Sequence, residues 1–235
     1  MKIALVGDVH GGTTDALTAI YHAADMGAER IIFLGDFGYN FTDSFVYELT
    51  IAGAACGLII EWIDGNHENF DKLQSLGFDL GPQFKYHPRG STEEIDGVKF
   101  MFVGGATSVD RQYRDIGRSW WPQEALTFGE IASAFDKAPG TSVMLMHDAP
   151  YLPPMMDDSK SSFPRVDLAI SAAHRTLIKI VYKEAKPKFV FHGHFHVPYI
   201  DVHAEPWGET TIQGLNCSGN PLSEYMTIID TEEMK

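Results

Sequence analysis

The stretch KIALVGDVHGG, Lys2–Gly12, decides how the whole chain is read. An unbroken apolar run, Ile3–Val6, stops at a glycine and gives way to Asp8 and His10. A run without polar alternation marks a strand covered on both faces. Its polar end puts a carboxylate and an imidazole just past the strand's carboxyl tip. The same figure recurs in RIIFLGDFGYN (30–40), LIIEWIDGNHE (58–68), KFMFVGGATSVD (99–110), SVMLMHDAP (142–150) and KFVFHGHFHVP (188–198). Helical patterns separate the first three runs. Residues 13–30 carry apolar positions at Leu17, Ile20, Tyr21 and Ala24, with Gly27 as the expected cap. Residues 41–57 read the same way and stop at Gly57. Strands alternating with helices imply parallel strands joined by right-handed crossovers.

Later segments differ. Asp96-Gly97 between strand-like runs signals a hairpin. A helix is expected after Ser119, with Ser119 as cap and Pro122 in its first turn. A longer helix begins near Arg165 and ends before Pro187, and two strands follow within residues 210–219 and 224–233. Residues 151–165 are the most loop-like stretch and a candidate rim for the site, with Asp157-Asp158 as solvated charge. The chain, 235 residues, is expected to form one domain.

The composition narrows the function. Cys56 and Cys217 are far apart and form no Cys-x-x-Cys pair, which argues against a zinc ribbon and for reduced thiols in a cytoplasmic protein. No apolar run is long enough to span a bilayer and the first residues lack a cleavage region, so no membrane partner is expected. The formal net charge of −14 disfavours a grip on long nucleic acid.

The chemistry lies at the strand ends. Asp8, Asp36 and Asn66 are spaced by 28 and 30 residues, and one strand–helix–strand unit takes about 30 residues. They therefore fall on the same edge of a parallel sheet, where open α/β sheets place their ligand crevice. His10, His67, His147, His194 and His196 also follow apolar runs. Carboxylates, an amide and imidazoles without thiolate suit divalent manganese, iron, zinc, cobalt or nickel. Two such ions ~3.5–4 Å apart would use the whole set. His22, His87, His174 and His203 are assigned to packing. Trp120 and Trp121 suit either core packing or a stacked base. Arg111, Arg114 and Arg118 follow a strand end and either contact phosphate or pair with Asp110 and Asp115.

In order, GDVHG, GD, GNHE, His147 and GHFH resemble the calcineurin-like metallophosphoesterase superfamily, over residues 7–196. The resemblance implies a four-layer α/β/β/α sandwich of two mixed sheets flanked by helices. It implies two divalent metal ions, manganese first among them. One would be held by Asp8, His10, Asp36 and His196, the other by Asp36, Asn66, His147 and His194, with Asp36 bridging. It leaves His67 as the catalytic residue, a general acid toward the leaving oxygen or a stabiliser of phosphoryl charge, with hydroxide shared by the metals as nucleophile. Asp64 and Glu68 are the candidates to orient His67, and Arg111 and Arg118 the candidates to bind substrate. In protein serine/threonine phosphatases an Asp-Arg-Gly follows the second block. Here it reads GDFGYN, with Tyr39 and Asn40 in those places. The second block is more similar to prokaryotic and phage-type phosphodiesterases. The expected substrate is a small phosphodiester, with cyclic nucleotides as one class. Phosphomonoesters, long strands cut by a nuclease, and a non-catalytic interaction module are the alternatives.

Overall fold

The computed structural model describes residues 1–152 and 161–235. Asp157 and Asp158, with the middle of the expected rim loop, lie outside the described residues. The first half alternates β1 (Lys2–Val6), α1 (Thr13–Asp25), β2 (Arg30–Leu34), α2 (Asp43–Cys56), β3 (Ile60–Ile63), α3 (Phe70–Ser75) and β4 (Phe84–Tyr86). A hairpin of β5 (Ser91–Ile95) and β6 (Val98–Val103) follows, then α4 (Phe128–Lys137), β7 (Val143–Met146), α5 (Arg165–Ala185) and β8 (Phe189–His192). The chain ends with β9 (Tyr199–Glu205), β10 (Gly208–Gly214), α6 (Leu222–Tyr225) and β11 (Met226–Asp230). One sheet has the order β11-β1-β2-β3-β4 and the other β5-β6-β7-β8-β10-β9. The pairs β1–β2, β2–β3 and β3–β4 are parallel, as the crossover pattern requires. In the second sheet β6–β7 and β7–β8 are also parallel.

Strand periodicity builds the layers. Successive side chains of a strand point to opposite faces. Ala4, Val6, Ile31 and Phe33 therefore pack under α1 and α2. Ile3, Leu5, Ile32 and Leu34 point the other way and meet Phe100, Phe102, Leu145 and Phe191 of the second sheet. That sheet turns Met101, Val103, Met144 and Met146 onto Ile131 and Ala134 of α4 and Ile178, Val181 and Tyr182 of α5. Helix, sheet, sheet and helix form the four-layer α/β/β/α sandwich. Burying each large aliphatic side chain contributes ~1.5–3 kcal/mol, so strands covered on both faces are the stable spine that holds the loop tips in place.

Three local expectations are corrected. Helix α1 buries Ala16, Ala19, Ile20 and Ala23 and leaves Tyr21 exposed. Small alanines let the helix lie close to the sheet, and the larger Leu17 and Tyr21 are left at its flank. Helix α4 begins at Phe128, not after Ser119. Thr127 caps it in a reciprocal box with Glu130, while Ser119 accepts from the Asp115 N–H at 2.9 Å. The residues between form a short 3₁₀ turn, Pro122–Glu124. Strand β9 had no signal in the sequence. It is an edge strand that exposes Ile200 and Val202, so it lacks the buried run that marked the others.

Candidate metal centre and active site

The loops after β1, β2, β3, β7 and β8 converge at one end of the two sheets. His196 Nε2 lies 3.0 Å from Asp8 Oδ2 and 3.1 Å from His10 Nε2. His10 Nδ1 lies 3.7 Å from Asp36 Oδ2. On the other side of Asp36, His147 Nε2 is 3.5 Å from its Oδ1 and 3.0 Å from Asn66 Oδ1. The His194 ring packs edge-on against His147, with centroids 5.1 Å apart. The structure thus brings Asp8, His10, Asp36, Asn66, His147, His194 and His196 together, although they span most of the chain.

Backbone geometry aims these groups. His10, Asp36, His194 and His196 hold φ of 50°, 44°, 67° and 52°. Non-glycine residues in that region cost ~1–3 kcal/mol each and persist only where surroundings over-determine them. The surroundings are specific here. The His10 N–H donates to the Asp36 carbonyl at 2.7 Å, and the Gly11 N–H to the Phe37 carbonyl at 2.9 Å. Buried Glu68 accepts from the N–H of Phe37 at 2.6 Å and of Gly65 at 2.7 Å, tying the loops after β2 and β3. Burial and the charge of Asp36 push Glu68 up to about 8. The His194 N–H donates to Asp8 Oδ2 at 3.0 Å. A Cβ on Gly193 would lie 2.0 Å from Asp8 Oδ1, which is why the GHFH turn needs glycine there.

The donor set fits divalent cations. His147 donates from Nδ1 to the Leu34 carbonyl at 2.8 Å, so in the neutral ring Nε2 is a lone pair. It faces oxygen acceptors of Asn66 and Asp36. Acceptors converging on acceptors in a buried place are what a cation resolves. His10 Nδ1 is buried and has no hydrogen-bond partner among the described residues. Asp8 and Asp36 are buried together. Burial and the neighbouring Asp8 charge push Asp36 well above the usual carboxylate range. Burial would raise Asp8 too, but His147, His196 and His10 outweigh it and hold it at about 2. Burial keeps His10 down at about 4 and His194 at about 3, the neutral state that ligates metal. Donor atoms of Asp8, His10 and His196, and of Asp8, Asp36 and His147, each lie within 4.8 Å of one another.

His67 stands beside this cluster, its Nε2 3.8 Å from Asp36 Oδ2. Neither expected orienting carboxylate reaches it. Asp64 is taken by Arg89 at 2.6 Å and by the Tyr86 hydroxyl at 2.7 Å, and Glu68 by the backbone donors above. The Tyr39 hydroxyl lies 3.1 Å from His67 Nδ1. Tyr39 also stacks on His10. Arg114 lies against the His67 ring, with Nη1 2.9 Å from Nδ1 and Nη2 2.9 Å from Nε2. Asp110 anchors that guanidinium, at 2.8 Å to Nε and 2.9 Å to Nη2. Arginine only donates, and a neutral imidazole has one acceptor, so both ring contacts cannot be hydrogen bonds. Burial and the Arg114 charge hold His67 down at about 2.

Two cavities open from His67 and Arg114. One, of about 630 Å³, runs past Asp36, Asn66 and His194 to Phe163, Leu168, Arg175 and Phe195. The other, of about 410 Å³, is bounded by Tyr39, Asn40, Arg118, Ser119 and Trp121. Of the expected substrate contacts, Arg118 lines this second cavity. Arg111 turns away, to Asp167 at 3.0 Å and over the Trp120 ring. Arg114 shares the sequence context of both, and only its reach to His67 separates it. His192, in the middle of the histidine run, points into the protein. It donates to the Gly193 carbonyl at 2.8 Å and bonds the Tyr199 hydroxyl at 2.5 Å. His87 bonds Glu61, His174 pairs with Asp148, and Trp121 donates to Asp71, each away from the cluster.

An α/β/β/α sandwich with nitrogen and oxygen donors gathered at its strand tips offers a candidate site for divalent metal. The chain belongs to the calcineurin-like phosphoesterases, whose family model matches residues 1–198. It is a phosphoester hydrolase of a family that uses a dinuclear divalent metal centre. Among solved structures it is similar to TT1561 of Thermus thermophilus, at 13% identity and a TM-score of 0.62, covering 100% of this chain and 96% of that one. It is also similar to an archaeal phosphodiesterase, at 15% identity and a TM-score of 0.52, with the same coverage. A dimetal phosphatase from Danio rerio matches at 11% identity and a TM-score of 0.57, covering 97% and 91%. Likeness at these identities shows the fold alone. No curated protein sequence matches. Among the described residues no helix is long and apolar enough to cross a membrane.

Proposed function

We propose that the protein hydrolyses small phosphodiesters, with His67 and Arg114 acting on the phosphoryl group. The carrying observation is that both residues line two separate cavities, so an ester seated between them has room for two organic arms. Phe163, Leu168 and Phe195 would take an apolar or flat arm, and Tyr39, Asn40 and Arg118 a polar one. A nucleotide diester carries both. The acidic exterior disfavours long strands.

Asp8, His10, Asp36 and His196 would hold one divalent ion, and Asp36, Asn66, His147 and His194 the other; the donor set accepts several divalent metals, and the family resemblance puts manganese first. A bound pair supplies Lewis acidity toward phosphoryl oxygens and lowers the pKa of water. The remaining work falls to the side chains. Before substrate arrives, burial and Arg114 keep the His67 imidazole neutral. A phosphate oxygen draws the Arg114 guanidinium off the ring and forms the charge-assisted bonds that the ring cannot. The substrate's negative charge then favours a proton on His67. The Tyr39 hydroxyl holds Nδ1, so Nε2 is the atom that gives its proton to the departing oxygen, a step worth ~10²–10⁴-fold.

The test is a rate comparison on the metal-loaded protein with bis(p-nitrophenyl) phosphate, p-nitrophenyl phosphate, 2′,3′- and 3′,5′-cyclic nucleotides and a phosphopeptide. A higher kcat/KM on diesters supports the reading. Faster cleavage of monoesters across several metals overturns it.

A further inference from the structure

A buried polar chain leads away from Asn66, and no motif marks it. Asn66 Nδ2 donates to Ser108 Oγ at 3.0 Å. Ser108 Oγ donates to Glu124 Oε2 at 2.6 Å, and the Ser108 N–H to Glu124 Oε1 at 2.8 Å. Asn66, Ser108 and Glu124 are 2%, 4% and 2% exposed, so water does not compete for these bonds. Glu124 reaches Ser108 from the 3₁₀ turn Pro122–Glu124, and its carbonyl also accepts the Ala106 N–H at 3.1 Å. The loop after β6 is therefore fastened at two points.

The direction of this chain is set at its far end. Burial raises the Glu124 carboxyl and the two Ser108 donors oppose that shift; in its ionised form the carboxylate can only accept. The one hydroxyl hydrogen of Ser108 must therefore point to Glu124, which leaves its oxygen free to accept. Only the NH₂ end of Asn66 can satisfy that oxygen. The carbonyl end, Oδ1, is then turned toward His147 Nε2 and the centre. An amide nitrogen in its place has no lone pair to offer a cation.

We propose that Glu124, acting through Ser108, is the positioning residue that presents Asn66 Oδ1 to the metal centre. This rests on the reading of Asn66 as a ligand. Outer partners of metal ligands typically change affinity by ~10–100-fold, and this one works by choosing which atom faces inward.

Glu124→Gln tests it, because the shape is conserved and the polarity is not. The carbonyl of the substituted side chain would still accept the Ser108 N–H, but its NH₂ would donate to Ser108 Oγ. The buried hydroxyl hydrogen then gains an acceptor by turning to Asn66, whose amide flips and offers NH₂ to the metal. Manganese binding to the full chain would be followed by calorimetry and electron paramagnetic resonance, with thermal melting of the metal-free protein in parallel. The expected result is one ion bound as in wild type and the second ~10–100-fold more weakly, with the metal-free melting temperature retained. Adding Ser108→Ala to Glu124→Gln frees the amide to rotate and should restore part of the second affinity, which a purely structural role would not do. Two wild-type affinities in Glu124→Gln, or loss of both ions together with the fold, overturns the proposal. Asn66→Ala separates the two claims. If that variant keeps both ions at wild-type affinity, the ligand assignment itself fails, whatever Glu124 does.

Discussion

Replacing Arg114 by alanine should cost activity and little stability. The guanidinium is anchored by Asp110 at 2.8 Å and, among the described residues, makes its other polar contacts with the His67 ring. Asp110 is 31% exposed, so it returns to water when its partner is removed. Surface pairs contribute ~0–1 kcal/mol; this one is partly buried, with Arg114 13% exposed, and belongs near the upper end, so the melting temperature should fall by no more than ~2–4 °C. Activity is different. A hydrogen bond to a charged group is worth ~1.5–3 kcal/mol, and each ~1.4 kcal/mol of lost transition-state stabilisation is tenfold in rate. One lost phosphate contact therefore predicts a kcat/KM on bis(p-nitrophenyl) phosphate lower by ~10–150-fold. Arg114→Lys keeps the charge and loses the planar fork, and should fall between. Arg111→Ala is the control. Its guanidinium serves Asp167, and kcat/KM should stay within about twofold, since no contact to the reacting group is lost. Removing the Arg114 charge also lifts one of the two main causes that depress His67, so the high-pH limb of the rate profile, where a general acid loses its proton, should shift to higher pH. The assay is steady-state kinetics with manganese stoichiometry measured on each variant. If Arg114→Ala keeps wild-type kcat/KM with both metals bound, the phosphate contact is refuted.

Tyr39→Phe deletes the hydroxyl at His67 Nδ1 without touching the metal donors. A neutral hydrogen bond contributes ~0.5–1.5 kcal/mol, so kcat should fall by ~2–12-fold, most with poor leaving groups. An unchanged dependence of rate on leaving-group acidity would remove Tyr39 from the proton transfer. His192 gives a pH signature of folding. Burial lowers its pKa to about 4, while unfolded histidine titrates near ~6.5. Between those values the unfolded chain holds a proton that the folded ring does not. Its contribution to stability is thus complete above ~6.5 and is lost as pH falls toward the folded value. In denaturant titrations of metal-free protein, His192→Gln should flatten the decline in this window by ~1.4 kcal/mol per pH unit. Parallel curves for variant and wild type would contradict the burial argument.

The candidate ligands were legible because chemistry and periodicity coincide in this chain. Asp8, Asp36 and Asn66 recur at the length of one strand–helix unit, and each follows a short, largely apolar run closed by glycine, the mark of a covered strand. The helices were legible in extent and less so in detail. The stop at Gly57 follows from its left-handed φ of 69°, whereas the start of α4 was hidden. Pro122 is a strong start signal but opens only a 3₁₀ turn, and the Thr127–Glu130 box does the capping.

What surrounds the centre was not legible, for a physical reason. Orientation of His67 by Tyr39, selection of Arg114 over Arg111, and the Glu124–Ser108–Asn66 chain each join segments 16 to 47 residues apart through one or two hydrogen bonds. Such contacts impose no period and no required spacing on the sequence. The amino-acid order by itself determined the strands covered on both faces and the residues at their tips, because burial on both faces acts on every position of a strand and leaves an unbroken apolar run; the division into two sheets came only with the family resemblance. Only the tertiary structure decided which neighbours aim those residues, since a single directional bond needs a particular distance and angle that the packing of distant loops alone creates.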